Sequence, residues 1–490
     1  MSEDARATVR NAVLVLLQRG LQSAGGLAFA VLVPRLMGSD DFGRFALATS
    51  VAFWLSVISG LGFTSVTTRY VPTFVARGDD AGLSRLLGSL LTLRVASGLA
   101  AAAVYLALGL VWWRDLDAGA LLLFGLAIWS QGISGYLFAL FLGMNRAGRW
   151  AMGDTLRRWL LLMFVLPGFM WTGFRGAAGA VALTELVLLA VGLSLSPLPR
   201  RRAHLWPDRE FLAPYLRFGL AFLTIQVLYV AFLGSGELLV RAFSGAYAEV
   251  GFFNLAHGIY LVPAALLPQF MLAFAPPLTR LLEAGGVAEL ARWTQRLARV
   301  LAAAATLGVL AASCIAAPYV PLVFGAAFAP VAPNLVALAL AFLALTLESV
   351  PALLTLVHER PAASVTAGII RLALFWLLAP PLIARSGSLG AAAAVLVAVT
   401  VHGLYLVWRT RGLAGGAVAA WATPVALGLP LLLLALGLRR GTPADLVIFA
   451  AAAVVYALAL LAFRVITPAE LRALAGLWRR KAGSVGAPPA

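Results

Sequence analysis

Apolar runs of about 20 residues recur along this chain, each long enough to cross a hydrocarbon core of roughly 30 Å. Of its 490 residues, 62% are hydrophobic and only 12% are charged. A soluble globule carries about a quarter charged residues and could not bury so much apolar surface. The runs lack the period-two alternation of an outer-membrane strand. The expected fold is therefore an all-α polytopic membrane protein. Fourteen spans are expected, near 11–33, 43–63, 86–111, 119–142, 158–174, 177–197, 215–241, 252–275, 298–323, 334–357, 363–384, 389–408, 418–437 and 445–464. Pro167 interrupts the fifth, and Pro424 and Pro430 interrupt the thirteenth.

The formal charge of +17 invites a nucleic-acid reading, but the basic residues sit in alternate loops between the apolar runs. With the N-terminus in the cytoplasm, 26 of them fall on the inner side and 8 on the outer. That is the positive-inside pattern of short loops. It predicts cytoplasmic termini in a cell (inner) membrane protein and no nucleic-acid partner. The N-terminal run ends in Pro34-Arg35-Leu36-Met37, with no small-residue cleavage site, and reads as a retained first helix. Arg19, Arg94 and Arg371 fall inside spans.

A short phrase occurs twice, about 208 residues apart. Gly38-Ser39-Asp40-Asp41-Phe42-Gly43-Arg44-Phe45-Ala46-Leu47-Ala48 is matched by Gly245 through Ala256. Both copies have a glycine, an acidic residue and then Gly-x-Phe-x-Leu-Ala. Leu83 and Arg85 align with Leu290 and Arg292 at an offset of 207, and Asn145-Arg146 with Glu359-Arg360 at 214. The unit that repeats spans six helices, an even number, so both copies point the same way through the membrane. Proteins built in this way are usually transporters. The expected organisation is an N-terminal lobe over 1–204, a C-terminal lobe over 205–412, and two further helices with a cytoplasmic tail over 413–490. Residues 198–214 form the linker, and Pro468 to Lys481 reads as an amphipathic basic helix at the inner surface.

Little in the sequence suggests catalysis. Cys314 is a single cysteine in an apolar run, and His204, His257, His358 and His402 lack metal-ligand spacing. Neither a cofactor nor a metal is expected. No metalloprotease, nucleophile-elbow, phosphate-loop or dinucleotide motif occurs in a suitable setting. The outside loops, of roughly 5–10 residues by the span boundaries, are too short to hold a sugar acceptor, so no enzyme is expected.

The chain resembles the polysaccharide flippases of the Wzx (O-antigen) type, in the multidrug/oligosaccharidyl-lipid/polysaccharide exporter superfamily. Four stretches carry the resemblance: Pro34 to Leu47; Gly60-Leu61-Gly62-Phe63 leading to Arg69 and Ala76-Arg77-Gly78-Asp79; Gly143-Met144-Asn145-Arg146 with Arg157-Arg158; and Phe324 to Pro333. It covers residues 9–410. It implies two six-helix lobes around a central cavity. It also implies a polyprenyl-pyrophosphate-linked oligosaccharide as cargo, carried from the inner to the outer leaflet by alternating access. Membrane lipids, a polysaccharide polymerase and glycosyltransferases are the implied partners.

An intramembrane arginine costs about 2.5–3.5 kcal/mol even on lenient insertion scales, so it faces a cavity or a partner. Its planar fork suits phosphate oxygens. Arg19 is the first candidate for substrate binding: Asn11, Gln18 and Gln22 form a polar stripe beside it on the first helix. Relatives that flip lipid II are expected to use an arginine in the comparable stretch. Snorkelling to the headgroups is the competing reading. Arg94 and Arg371 could bind pyrophosphate from their own lobes or snorkel. Glu237 and Arg241, at i and i+4, read as a structural pair, or else as an outer gate with Arg241 as a further phosphate contact. Glu185 and Glu348 have no obvious neighbour in sequence and are candidates for proton coupling or for pairing with an arginine. His257 and His402 read as packing residues.

Two rivals on the same fold are an ion-coupled multidrug antiporter and a peptidoglycan-precursor (lipid II) flippase. The first is disfavoured by an arginine, and no acid, in the first helix. A membrane glycosyltransferase or polymerase is disfavoured by the short outside loops.

Overall fold

The computed structural model describes residues 3–144, 146–196, 209–413 and 415–465; the side chains of 3–20, 22, 23, 147, 209, 225, 228, 229, 233 and 361 are outside the description. Within it the chain is helical throughout. The elements are α1 (Glu3–Ser59), α2 (Phe63–Arg77), α3 (Asp80–Trp112), α4 (Ala118–Gly143), α5 (Ala147–Thr172), α6 (Phe174–Leu195), α7 (Arg209–Leu233) and α8 (Gly236–Ser244). They continue with α9 (Tyr247–Leu272), α10 (Ala275–Glu283), α11 (Val287–Phe324), α12 (Val331–Val357), α13 (Pro361–Arg409), α14 (Ala417–Leu438) and α15 (Asp445–Ala462). Ten stretches of the described residues are long and apolar enough to cross a membrane. α1 and α13 each hold two helices joined at a non-helical glycine, Gly38 and Gly387. With α2, α8 and α10 read as continuations of the helices before them, fourteen helical units result, as the apolar runs predict.

The duplication is written into the backbone. The joint between α5 and α6 is one residue, Gly173, at φ 62° and ψ −140°. Its counterpart 214 positions later, Gly387, has φ 57° and ψ −134°. A side chain strains in that region, and glycine does not. Three residues past each joint the same close packing recurs. A Cβ on Gly176 would overlap the Gly168 carbonyl oxygen, and one on Gly390 would overlap that of Leu382. Both copies also break their second helix, at Gly60–Gly62 between α1 and α2 and at Ala273–Phe274 between α9 and α10.

Two compact units divide the chain, Met1–Gly251 and Phe252–Ala490. In the first, α4 packs on α6 and α3, α5 on α6 and α1, and α7 on α2. Its core includes Leu86, Leu87, Leu90, Leu137 and Leu140, all fully buried. In the second, α11 packs on α12 and α14, and α12 packs on α13. The fifth helix corrects the sequence reading. It begins at Ala147, not near 158, so Arg157 lies in its third turn and not in a loop. The linker centre and the C-terminal basic segment lie outside the described residues.

Candidate functional site

Among the described residues, polar side chains inside the spans gather in three places. The first surrounds Arg94 on α3. Its Nε donates to the Gly132 carbonyl oxygen at 2.7 Å, Nη1 to Ser59 Oγ at 3.2 Å and Nη2 to the Ser56 carbonyl oxygen at 3.4 Å. Ser97 Oγ donates to the Ser59 carbonyl oxygen at 2.8 Å. The last turn of α1 has carbonyls without intrahelical partners, and a cation at that end complements the helix dipole. Arg94 thus ties α1, α3 and α4 together. Gly132 makes room for it, since a Cβ there would lie 3.1 Å from Nε. Among the described residues no carboxylate pairs with Arg94, so this buried charge is balanced by neutral groups alone.

The second place joins α4, α5 and α6. Arg157 Nε lies 2.7 Å from Glu185 Oε1, and Nη2 donates to Oε2 at 3.3 Å. Ser134 Oγ donates to the same Oε2 at 3.3 Å. Asp154 holds the third nitrogen, Nη1, at 3.1 Å. Glu185, which the sequence offers either for proton coupling or for pairing with an arginine, is one half of a two-point fork with an arginine 28 residues before it in sequence. Breaking such a buried pair is costly because the partner stays behind as an uncompensated charge.

The third place lies in the second unit, on α12 and α13. Glu348 Oε1 is 3.9 Å from Arg371 Nη1, and Oε2 is 2.6 Å from His402 Nδ1. Among the described residues neither Oε2 nor Nδ1 has a further hydrogen-bond partner. Glu348 and His402 are buried. The structure thus brings together two residues expected separately, Arg371 and Glu348, and adds His402, which the sequence reading treated as packing. His257 is a packing residue in geometry: its ring stacks on Phe253 and Tyr260 at centroid distances of 5.0 and 5.8 Å.

Glu237 and Arg241 share α8 but do not form the predicted pair. Arg241 turns to Asp115, with Nη2 3.5 Å from Oδ2, donates to the Gly245 carbonyl oxygen, and lies 4.0 Å over the Tyr247 ring. Tyr247 donates its hydroxyl to Asp115 at 2.9 Å. Arg44 approaches the same ring at 5.3 Å. The favourable i, i+4 spacing loses here to an acid and a ring face offered together. Glu237 is buried. The side chains of Gln18, Arg19 and Gln22 lie outside the described residues.

An apolar cavity of about 480 Å³ lies between α9, α11 and α12, lined by residues such as Tyr260, Gly308, Ala312, Leu338 and Phe342. It offers no charged group to a sugar or phosphate.

Comparison with known proteins supplies the family. Residues 8–282 match the family model described as "Polysaccharide biosynthesis protein". A search of curated proteins gave no match. Among solved structures, the fold is similar to a lipid II flippase MurJ in an inward closed conformation. That match has a TM-score of 0.67 and 12% identity, and covers 93% of this chain and 99% of the other. It is also similar to an inward-facing multidrug resistance MATE family transporter of the MOP superfamily, with a TM-score of 0.60 and 15% identity over 84% of this chain and 99% of the other. An outward-facing transporter of the same description gives a TM-score of 0.52 and 17% identity over 85% of this chain and 97% of the other. At these identities the likeness is one of fold.

Proposed function

The chain belongs to the polysaccharide biosynthesis protein family, and on that premise we propose that it moves a polyprenyl-pyrophosphate-linked oligosaccharide from the cytoplasmic to the outer leaflet by alternating access. It is a multi-pass membrane transporter of the MOP superfamily fold. The reading places it in the cell (inner) membrane with both termini in the cytoplasm. The partners it implies are glycosyltransferases that build the oligosaccharide and a polysaccharide polymerase that consumes it.

The observation that carries the choice of cargo is Arg94, a buried cation whose hydrogen bonds among the described residues go to neutral groups. In a medium of low dielectric such a charge sets a positive potential well beyond its own contacts. That potential favours a diphosphate headgroup and opposes a cationic drug. Arg19 and Arg371 are the proposed direct contacts, with Gln18 and Gln22 beside the glycan. Arginine suits them because its fork matches phosphate oxygens.

The test is labelling of outer-leaflet lipid-linked oligosaccharide in cells with and without the gene. Loss of the outer-leaflet pool, with the same oligosaccharide accumulating on the inner leaflet, is the expected result. Normal oligosaccharide display with peptidoglycan precursor trapped inside would assign the chain to lipid II. Normal display with gained drug sensitivity would assign it to drug export.

A further inference from the structure

The polar clusters of the two units are copies of one arrangement with its residue types permuted. Glu348 lies 214 positions after Ser134, Arg371 lies 214 after Arg157, and His402 lies 217 after Glu185. The first two offsets are that of the glycine joints, Gly173 to Gly387; His402 stands three residues, about one helical turn, past the position that matches Glu185. Both copies therefore place an arginine on their fifth helix, between polar residues on their fourth and sixth. In the first copy the acid stands on the sixth helix and grips the arginine at 2.7 and 3.3 Å, with a serine completing the set. In the second the acid stands on the fourth helix, and an imidazole stands on the sixth, about one turn past the matching position. The carboxylate is then shared: 3.9 Å from Arg371 on one side, 2.6 Å from His402 on the other.

That permutation changes what the cluster can do. The first copy contains only arginine, carboxylates and a hydroxyl, none of which ordinarily changes charge near neutral pH. The second contains the one side chain whose ordinary titration falls between about pH 5 and 8. No further titratable group touches Glu348 or His402 among the described residues. α14, which packs on α12, carries no ionisable residue. Of the neighbours that pack on α12, α11 carries Glu289, Arg292, Arg296, Arg299, Cys314 and Tyr319, and α10 carries Arg280 and Glu283. None of these bonds to the pair. On α12 and α13 themselves, His358 bonds to the Leu354 carbonyl oxygen, and Tyr405 lies one turn from His402 without bonding to it.

We propose that Glu348 and His402 form a proton-binding site, the titrating member of a duplicated pair whose first member is a fixed clamp. The proposal rests on the transporter reading only for its use, as the site through which proton movement is linked to conformation. A proton from water adds to His402 Nδ1, turning a neutral imidazole into a cation held by the Glu348 carboxylate. It leaves by the reverse step. Burying a second cation beside Arg371 is costly without water.

The experiment is proton counting. The full-length purified protein is taken from about pH 8 to about pH 5.5 in the presence of an indicator dye, and uptake per chain is compared between variants. His402→Gln is expected to take up roughly one proton fewer than wild type. Glu348→Gln should also take up less, because it removes the carboxylate 2.6 Å from Nδ1 that holds the imidazolium. Ser134→Ala, at the matching place in the first copy, should titrate as wild type does. Equal uptake by wild type and a folded His402→Gln protein overturns the proposal. If that variant does not fold, equal uptake by wild type and Glu348→Gln overturns it. The dye reads protons and no glycan, so failure here leaves the cargo reading standing, and failure of the cargo reading leaves this result unchanged.

Discussion

Gly43 and Gly251, the matching glycines of the repeated phrase, lie backbone against backbone. A Cβ on Gly43 would come within 3.1 Å of the Gly251 nitrogen and would overlap the Tyr247 carbonyl oxygen. A Cβ on Gly251 would lie 3.2 Å from the Gly43 nitrogen and 2.8 Å from the Ser39 carbonyl oxygen. The two copies of the phrase thus touch each other inside the first unit, and the phrase needs its glycines for that contact.

Gly43→Ala should therefore cost more than Gly251→Ala. Forcing a methyl into a closed backbone contact costs about 1–3 kcal/mol. Thermal unfolding of the purified variants checks the order. Equal melting temperatures for Gly43→Ala and wild type would sink the close-contact account.

Removing one half of the Arg157–Glu185 fork should destabilise the protein by about 3–5 kcal/mol, because the other half remains buried and charged. A double change to residues of similar volume, Arg157→Met with Glu185→Met, should recover much of the loss. The readout is the fraction of folded protein extracted from membranes. A double variant no better than either single one would contradict the pairing.

Arg94 separates stability from charge. Arg94→Lys keeps the charge but cannot bridge Gly132, Ser59 and Ser56 at once, so its melting temperature should fall. Arg94→Gln removes the charge, and glycan display should fall further than with Arg94→Lys. If display follows melting temperature alone across the two variants, the positive potential plays no part.

Arg19→Ala should abolish glycan display while membrane insertion is unchanged, and Arg19→Lys should restore display only in part, since a point charge lacks the fork. Wild-type display in the alanine variant removes Arg19 from the site.

Asp115→Ala should leave stability nearly unchanged, within about 1 kcal/mol, because its pairing with Arg241 is half-exposed. A larger loss in thermal unfolding would assign the Asp115–Tyr247–Arg241 contacts a structural weight that exposure argues against.

The span count and the duplication were legible because both are carried by long signals: apolar length, arginine asymmetry, and a phrase repeated at one offset. The polar clusters were not. Its place at a span end puts Arg157 in a cytoplasmic loop, yet it lies in α5 and its partner Glu185 sits one helix away. Arg241 was assigned to Glu237 by i, i+4 spacing, yet it pairs with Asp115, 126 residues distant. Periodicity reports neighbours on one helix and is silent about neighbours across helices. One signal did reach across: the 214-residue offset, already visible between Asn145-Arg146 and Glu359-Arg360, also links Ser134 to Glu348 and Arg157 to Arg371.

The single-residue joints at Gly173 and Gly387 carry a mechanical consequence. With one residue between helices and a glycine pressed on a carbonyl just beyond it, neither arm can swing without dragging the other. Each hairpin behaves as a stiff two-pronged fork, and bending within a unit is left to the interrupted helices at Gly60–Gly62 and Ala273–Phe274. A peptide tag inserted at either joint would pry the prongs apart.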